Sequence, residues 1–296
     1  MIHTPVKVRI RWLLLALLTL PLTIHARDLP GVLEAGILRH LGIPYANFVT
    51  GSGDGLDVEL MQGFSAHLGV KYQFVKSNWN RIFGDLTGRH ARRGENGAEL
   101  LDSAPITGDV IANGLTVLPW RQDVINFSDP TFPTSVWLIA RAESNLKPIK
   151  PSGSLKADIV AVKGSLNGHT VLAIKSTCLD PDLYQMSETK ANIRLPENNL
   201  NVNEMVPAIL NREAESTLLD VPDALIALEK WPGQLKVIGP ISNYQVMGAG
   251  FRKDSPALLV AFNSYLNKIR QDGSYNRMVK KYYPSVFIYY ADFFAE

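Results

Sequence analysis

The sequence predicts an α/β chain folded as two lobes, each an open sheet flanked by helices. Three observations lead there. The chain has 296 residues, long for one domain and comfortable for two. Its first third opens strand–helix–strand–helix, the start of an open α/β sheet. After a polar linker the alternation begins again, and apolar strands stand where the chain would cross between the lobes and return.

Hydrophobic residues make up 46% and charged residues 20%, ordinary proportions for a water-soluble globular chain. The formal net charge of +2 includes Lys7, Arg9 and Arg11 of the first 26 residues, which hold no acid, so the remainder stands at −1. A nearly neutral body argues against a nucleic-acid partner. Residues 1–26 read as a secretory signal: a basic start, an apolar run from Trp12 to Leu20, then Pro21 and a small residue at Ala26. The run is short for a membrane span, although an uncleaved anchor stays open. No cysteine lies there to carry a lipid, so the expected location is the periplasm, with cleavage expected after Ala26.

Taken in order, residues 34–48 predict a short strand and a loop bearing Tyr45 and Phe48. Residues 50–55 form a turn cluster rich in glycine. Apolar positions 56, 60, 61, 64 and 68 recur with a helical period that Gly69 closes. Val70 to Val75 alternates as a strand, and Trp79 to Leu86 is a second short helix. Residues 88–107 break the pattern. Polar and rich in small residues, they are expected to form a surface insertion, a solvated loop in which Arg89, Arg92 and Arg93 could also meet a partner. Val136 to Arg141 is an apolar strand leaving the first lobe, and 142–165 reads as a polar linker with Pro148, Pro151 and Gly153. The second lobe then runs from a strand ending at Lys175-Ser-Thr-Cys178, through a helix start at Leu179-Asp-Pro-Asp, a helix at 203–211, a strand at 216–220, a helix at 224–230 and a strand at 234–238. Tyr244 to Phe251 returns, and the helices from Leu258 to Pro284 close the first lobe. The limits expected are 27–140 with 245–296 for the first lobe and 141–244 for the second, with hinges near 137–142 and 243–248.

One stretch carries the chemistry. Asp109-Val-Ile-Ala-Asn reads as a strand running into Gly114, Thr116, a turn at Pro119 and Arg121, followed by Phe127-Ser-Asp-Pro130. Glycine admits a ligand close to the backbone, Thr116 offers a hydroxyl and Arg121 a planar fork suited to a carboxylate. The bland alternative makes Arg121 a surface residue at a turn. The order Gly-x-Thr-x4-Arg with Phe-Ser-Asp-Pro resembles the periplasmic solute-binding proteins of polar amino-acid transporters, the bacterial extracellular solute-binding protein family 3. The likeness extends to Lys175-Ser-Thr-Cys178, the acid–proline corner at Asp220 and the returning run Gly250-Phe-Arg-Lys-Asp254, and covers about residues 34 to 284.

The resemblance implies a type II two-lobed periplasmic binding protein fold joined by a two-strand hinge, with a small amino-acid-like zwitterion in the cleft. Asn113, Gly114, Thr116 and Arg121 then take the ligand carboxylate, aided by a helix N-terminus at Thr177 and Cys178. Asp220 takes the ammonium, and Tyr45 and Trp79 sandwich the side chain. Each has an alternative: a helix cap for Asp220, core packing for Trp79, a loop aromatic for Tyr45, an inert buried thiol for Cys178. Cys178 departs from the Thr, Ser or Gly usual there, as Trp120 departs from the usual polar residue before the arginine.

Four histidines beyond the signal (His40, His67, His90, His169) show no ligand spacing, so neither a metal nor a cofactor is expected. Nor is there a nucleophile motif. The leading expectation is a monomeric, non-enzymatic binding protein that closes on its solute and delivers it to an inner-membrane ABC permease or reports it to a sensor. Two others stay open. An accessory protein of the same fold could act through residues 88–107 and the aromatic tail. The run Glu59 to Val70 resembles that of solute-binding domains attached to lytic transglycosylases, although no such catalytic module is expected within 296 residues. A cyclohexadienyl dehydratase on this fold would need a general acid in the cleft, for which no residue stands out.

Overall fold

The computed structural model describes residues 27–196 and 202–295; the expected signal at 1–26 lies outside them. The chain enters through α1 (Leu29–Ala35), β1 (Ile37–Gly42), α2 (Leu56–Leu68), β2 (Lys71–Lys76) and α3 (Ile82–Thr87). There follow β3 (Arg89–Gly94), β4 (Gly97–Ser103), β5 (Val110–Ile111), α4 (Pro119–Val124), β6 (Ile125–Phe127) and β7 (Phe132–Thr134). The second lobe holds β8 (Val136–Arg141), α5 (Leu155–Gly164), β9 (Thr170–Leu172), β10 (Asn192–Arg194), α6 (Met205–Leu210), β11 (Ser216–Asp220), α7 (Val221–Lys230) and β12 (Leu235–Pro240). The chain returns through β13 (Gln245–Met247) and β14 (Gly250–Arg252) to α8 (Pro256–Gln271), α9 (Ser274–Tyr282), α10 (Val286–Tyr289) and α11 (Ala291–Phe294).

Two five-stranded sheets result, ordered β2-β1-β5-β14-β6 and β10-β9-β11-β8-β12. In the first, β1 runs parallel to β2 and β5; in the second, β9 runs parallel to β10 and β11. The exceptions are the strands next to the crossings. β14 pairs antiparallel with β5 and β6, and β8 antiparallel with β11 and β12. Between the sheets the two crossings lie side by side as the antiparallel ribbon β7–β13, Gln245 opposite Thr134 and Met247 opposite Phe132.

The first crossing therefore falls earlier than the expected 137–142. β8 belongs wholly to the second sheet, where Leu138 faces Leu218, and the second sheet starts at Val136 rather than at residue 141. An apolar run suits a sheet centre as well as a hinge, so hydrophobicity alone did not separate them. The returning ribbon strand at 245–247 overlaps the expected 243–248.

The stretch at 88–107 is no loop. It is a β-hairpin, β3 against β4, with Arg93 opposite Ala98 and Gly94 opposite Gly97. Much of its length is exposed and its strands carry Arg, Glu and Asp, so the apolar alternation that marks a half-buried strand is missing. Asp123 of α4 accepts from the Ala98 N–H and fixes the hairpin to the first lobe. The expected linker likewise contains α5, whose Ser154 cap accepts from the Ala157 N–H; only Val162 is buried, so the helix lacks a strong apolar stripe. The aromatic tail covers the crossings. Phe294 packs edge-on against Phe132 of β7, Tyr289 lies against Trp137 of β8, and the Tyr290 hydroxyl is 3.1 Å from Ser135 Oγ.

Candidate functional site

Every residue nominated for the cleft on the strength of a turn lies just beyond the carboxyl end of a strand: Tyr45 after β1, Trp79 after β2, Asn113 and Gly114 after β5, Thr177 and Cys178 after β9, Asp220 closing β11. Parallel strands end together, and in open α/β sheets the crevice beyond those ends is where ligands bind. Here the two sets of ends face each other.

The first lobe supplies the cationic half. Gly114 sits at φ +64°, and a Cβ there would stand 2.5 Å from the Phe48 ring, so only glycine fits. Its N–H donates to Asp57 Oδ2 at 2.6 Å, so this donor is already engaged rather than free for a ligand carboxylate, as sequence had suggested. The turn carries Asn113 and Thr116 inward, both fully buried, and Pro119 opens α4 so that its third residue is Arg121. Arg121 is no surface residue. It is wholly buried, its Nη1 donates to the Thr116 carbonyl at 2.8 Å, and its guanidinium lies 5.3 Å from the Trp79 ring centre and 5.5 Å from that of Trp120. Both indoles thus hold the arginine, which assigns Trp79 and the unusual Trp120 a shared place. Burial pulls the Arg121 pKa down, and Cys178 and Asp220 oppose that pull.

The second lobe supplies the anionic half. Asp220 occupies the cap position of α7, yet its side chain caps nothing. Oδ2 instead accepts from the Tyr45 hydroxyl at 2.8 Å and from Cys178 Sγ at 2.9 Å. Burial drives the Asp220 carboxyl up, against the pull of those two donors and of Arg121. Cys178 is buried, its thiol pushed well up by burial and then by the Asp220 charge. The helix N-terminus expected at Thr177 and Cys178 is not formed there. A single 3-10 turn, Pro181–Tyr184, begins later under an Asp180 cap, and Thr177 Oγ1 serves its own turn, donating to the Ile174 carbonyl and accepting from the Leu179 N–H. Asp180-Pro181 fixes the start of that turn three residues beyond Thr177.

The residues so brought together leave several polar atoms buried without a partner: both amide atoms of Asn113, Thr116 Oγ1, Arg121 Nε and Nη2, Asp220 Oδ1 and Asp223 Oδ2. Native interiors rarely tolerate such atoms in numbers. Here donors gather on one lobe and carboxylates on the other, and no ion pair joins Arg121 to an acid among the described residues. The arrangement suits a molecule with an anionic and a cationic end. Tyr45 is brought in by its hydroxyl, while its ring stacks on Phe48 at 5.8 Å and 16°.

Sequence reasoning missed three neighbours. Asp57 holds Gly114 from α2, Tyr184 donates to the Cys178 carbonyl, and Asp223 stands one turn beyond Asp220. Only for Asp223 was a signal present, the i, i+3 spacing from Asp220.

Residues 104–285 match the family described as Bacterial extracellular solute-binding proteins, family 3. The chain belongs to that family. Among similar proteins is the Lysine/arginine/ornithine-binding periplasmic protein of Escherichia coli (strain K12), 29% identical over 239 residues covering 77% of this chain and 78% of that one. Another is the Membrane-bound lytic murein transglycosylase F of Desulfosudis oleivorans, 23% identical over 233 residues; the match covers 78% of this chain but only 44% of the transglycosylase. Among solved structures, a mutant ArgBP from T. maritima aligns with TM-score 0.66 at 21% identity, covering 87% of this chain and 99% of that one. The ancestral amino acid-binding protein AncCDT-1, a precursor of cyclohexadienyl dehydratase, aligns with TM-score 0.64 at 23% identity over 86% of this chain and 98% of that one. At these identities the structural matches establish the shared two-lobed α/β fold.

Proposed function

We propose that this family-3 protein captures a small zwitterionic solute of the amino-acid class between its lobes, in the periplasm, and presents the closed form to an inner-membrane ABC permease or to a sensor. One observation carries the reading: unpartnered buried donors of Arg121, Asn113 and Thr116 on the first lobe face an unpartnered carboxylate oxygen of Asp220 on the second. The solute carboxylate goes to Arg121 and Thr116, and its ammonium to Asp220 Oδ1. Both charges are then paired inside a dry site, which removes the cost of several kcal/mol that an unpaired buried ion carries. Because the two halves belong to different lobes, the solute favours the conformation that brings them together. Names of relatives that bind amino acids agree with this class.

The test is a thermal-shift screen of the purified chain against the amino acids, short peptides and prephenate, followed by calorimetry. A true ligand at 100 times its Kd stabilises the folded state by about 2.7 kcal/mol. The shift should vanish in Arg121→Ala and in Asp220→Ala. A hit that lacks an ammonium group and ignores Asp220→Ala would overturn the assignment. Turnover of prephenate would replace binding by dehydration.

A further inference from the structure

We propose that Trp120 is a positioning residue for Arg121: its indole ring, braced by Phe83, fixes the guanidinium so that the edge formed by Nε and Nη2 is held ready for the solute's carboxylate. The inference rests on the reading of Arg121 as the partner of that carboxylate, and adds to it a residue that acts through Arg121.

The donors of Arg121 are not equally placed. Nη1 is spent on the Thr116 carbonyl at 2.8 Å, while Nε and Nη2 are buried with no partner among the described residues. Nε–H and one N–H of Nη2 run parallel along one edge of a guanidinium and match the two oxygens of a carboxylate. That match needs the edge to stay put. A guanidinium ends a long side chain with much rotamer freedom, and ordering such a chain on binding costs affinity. An acid could hold it, but only by occupying the donors that the solute needs. An aromatic ring holds the charge and leaves every N–H free.

Trp120 supplies such a ring. Its centre lies 5.5 Å from the guanidinium carbon, and that of Trp79 lies 5.3 Å from it. The two indoles come from different elements, Trp120 from the first turn of α4 and Trp79 from the turn that leads into α3. Helix α3 also braces Trp120, because the buried Phe83 ring meets it at 5.2 Å and 65°. Trp120 is 5% exposed, which leaves its ring little room to turn. Core packing is the ordinary account of a buried tryptophan, yet a buried indole usually finds an acceptor for its N–H. Nε1 of Trp120 has none among the described residues, so what the side chain contributes comes from the ring.

The experiment uses the intact purified chain. Nuclear magnetic resonance identifies the Arg121 side-chain signals by their loss in Arg121→Lys. With no solute added, those signals should lie upfield of the other arginines, under the ring currents of both indoles. Trp120→Phe should keep much of the shift, and Trp120→Leu should lose the share that Trp120 gives. An Arg121 without an upfield shift in the unaltered chain would overturn the inference, whether or not any variant folds.

Calorimetry with each of the twenty amino acids then reads the consequence. Every one that binds should bind Trp120→Leu about three- to tenfold more weakly, the scale of one side chain left to be ordered by the solute. The order of preference should not change, since the α-carboxylate is common to all of them. Trp120→Phe keeps a ring and should stay within about twofold of the unaltered chain. Unchanged affinities in Trp120→Leu, with binding abolished in Arg121→Ala, would overturn the inference and leave the amino-acid reading in place. A Trp120→Phe as weak as Trp120→Leu would also overturn it, because the ring would not be what counts. A loss that differs from one amino acid to another would move Trp120 to the side-chain end of the solute and end its role at the carboxylate. Binding by none of the twenty would remove both readings.

Discussion

Tyr45 of the first lobe donates its hydroxyl to Asp220 of the second at 2.8 Å, inside a region where neither side chain meets solvent. The bond exists only while the lobes are together, so it supports closure directly. A hydrogen bond to a charged group contributes about 1.5–3 kcal/mol. Tyr45→Phe keeps the ring on Phe48 and removes only that bond. Solute affinity should fall by about tenfold or more, since only the closed form is penalised. Titration calorimetry measures it, and an unchanged Kd would mean that the bond does not form in the bound state.

Two buried groups of the first lobe, His40 of β1 and Asp57 of α2, should pull stability in opposite directions with pH. His40 is neutral: Nε2–H donates to the Ala112 carbonyl at 2.6 Å, which leaves Nδ1 to accept from the Tyr72 hydroxyl at 2.8 Å. Burial lowers its pKa from 6.5 to about 4. The unfolded chain therefore takes up a proton below pH 6.5 that the folded chain refuses, and stability falls as pH falls through that window. Asp57 does the reverse. Burial raises it from 3.8 to about 7 against the Gly114 N–H, so the unfolded chain loses a proton that the folded chain keeps, and stability falls as pH rises from about 4 to 7. Relative to the unaltered chain, His40→Gln should gain about 1.4 kcal/mol for each unit of acidification between pH 6.5 and 4. Asp57→Asn should gain a similar amount for each unit of alkalinisation between pH 4 and 7. Urea unfolding at four pH values measures both; variants that track the unaltered chain in parallel would refute the assignment.

The parts of the candidate site legible in the sequence are those that carry the resemblance to family 3. Arg121 beside Thr116, and Asp220 at its proline corner, were nominated through their resemblance to family 3, whose pattern sets residue types in local order, and the structure buries all three with unpartnered polar atoms. Asp57 was hidden because its partner Gly114 lies 57 positions away and only the parallel packing of β1 and β5 brings α2 to it. The stacking of Trp79 on Arg121 was hidden for the same reason, whereas Trp120 is the neighbour of Arg121 in sequence and only the turn of its ring onto the guanidinium was out of view. In the fold, β3–β4 escaped notice because a strand wetted on much of its surface has no need of apolar alternation. The strand β8 was misplaced because a run buried on both faces looks the same in a sheet centre and in a crossing.

Cys178 offers a natural reporter of opening. Its thiol is 3% exposed, donates to Asp220, and is held well above its ordinary pKa by burial. Since the thiolate is the reactive form, labelling by an aromatic disulfide reagent at pH 8 requires that the lobes separate. Solute at 100 times its Kd should slow labelling about 100-fold, in proportion to the drop in the open population. Rapid labelling that ignores solute would show that the thiol is reached without opening.

The hairpin β3–β4 gives the first lobe a second hold on the other. Arg93 Nη1 lies 3.4 Å from Asp180 Oδ2, with side chains 27% and 5% exposed. Asp180 also caps its own turn, accepting from the Ser176 and Asp182 N–H groups, so replacing it would damage the second lobe itself. Arg93 has no such second duty, and Arg93→Ala removes the contact alone. A partly exposed pair contributes about 0.2–1 kcal/mol. Because the pair spans the lobes, its loss should appear as faster solute release, about 1.5- to 5-fold, with the association rate almost unchanged. Screening should erase the difference between variant and unaltered chain in 1 M salt, where the Debye length is about 3 Å. Stopped-flow dissociation at low and high salt measures both arms. Equal release rates at low salt would show that the hairpin adds nothing to closure, whereas a difference that persists in 1 M salt would point to packing rather than charge.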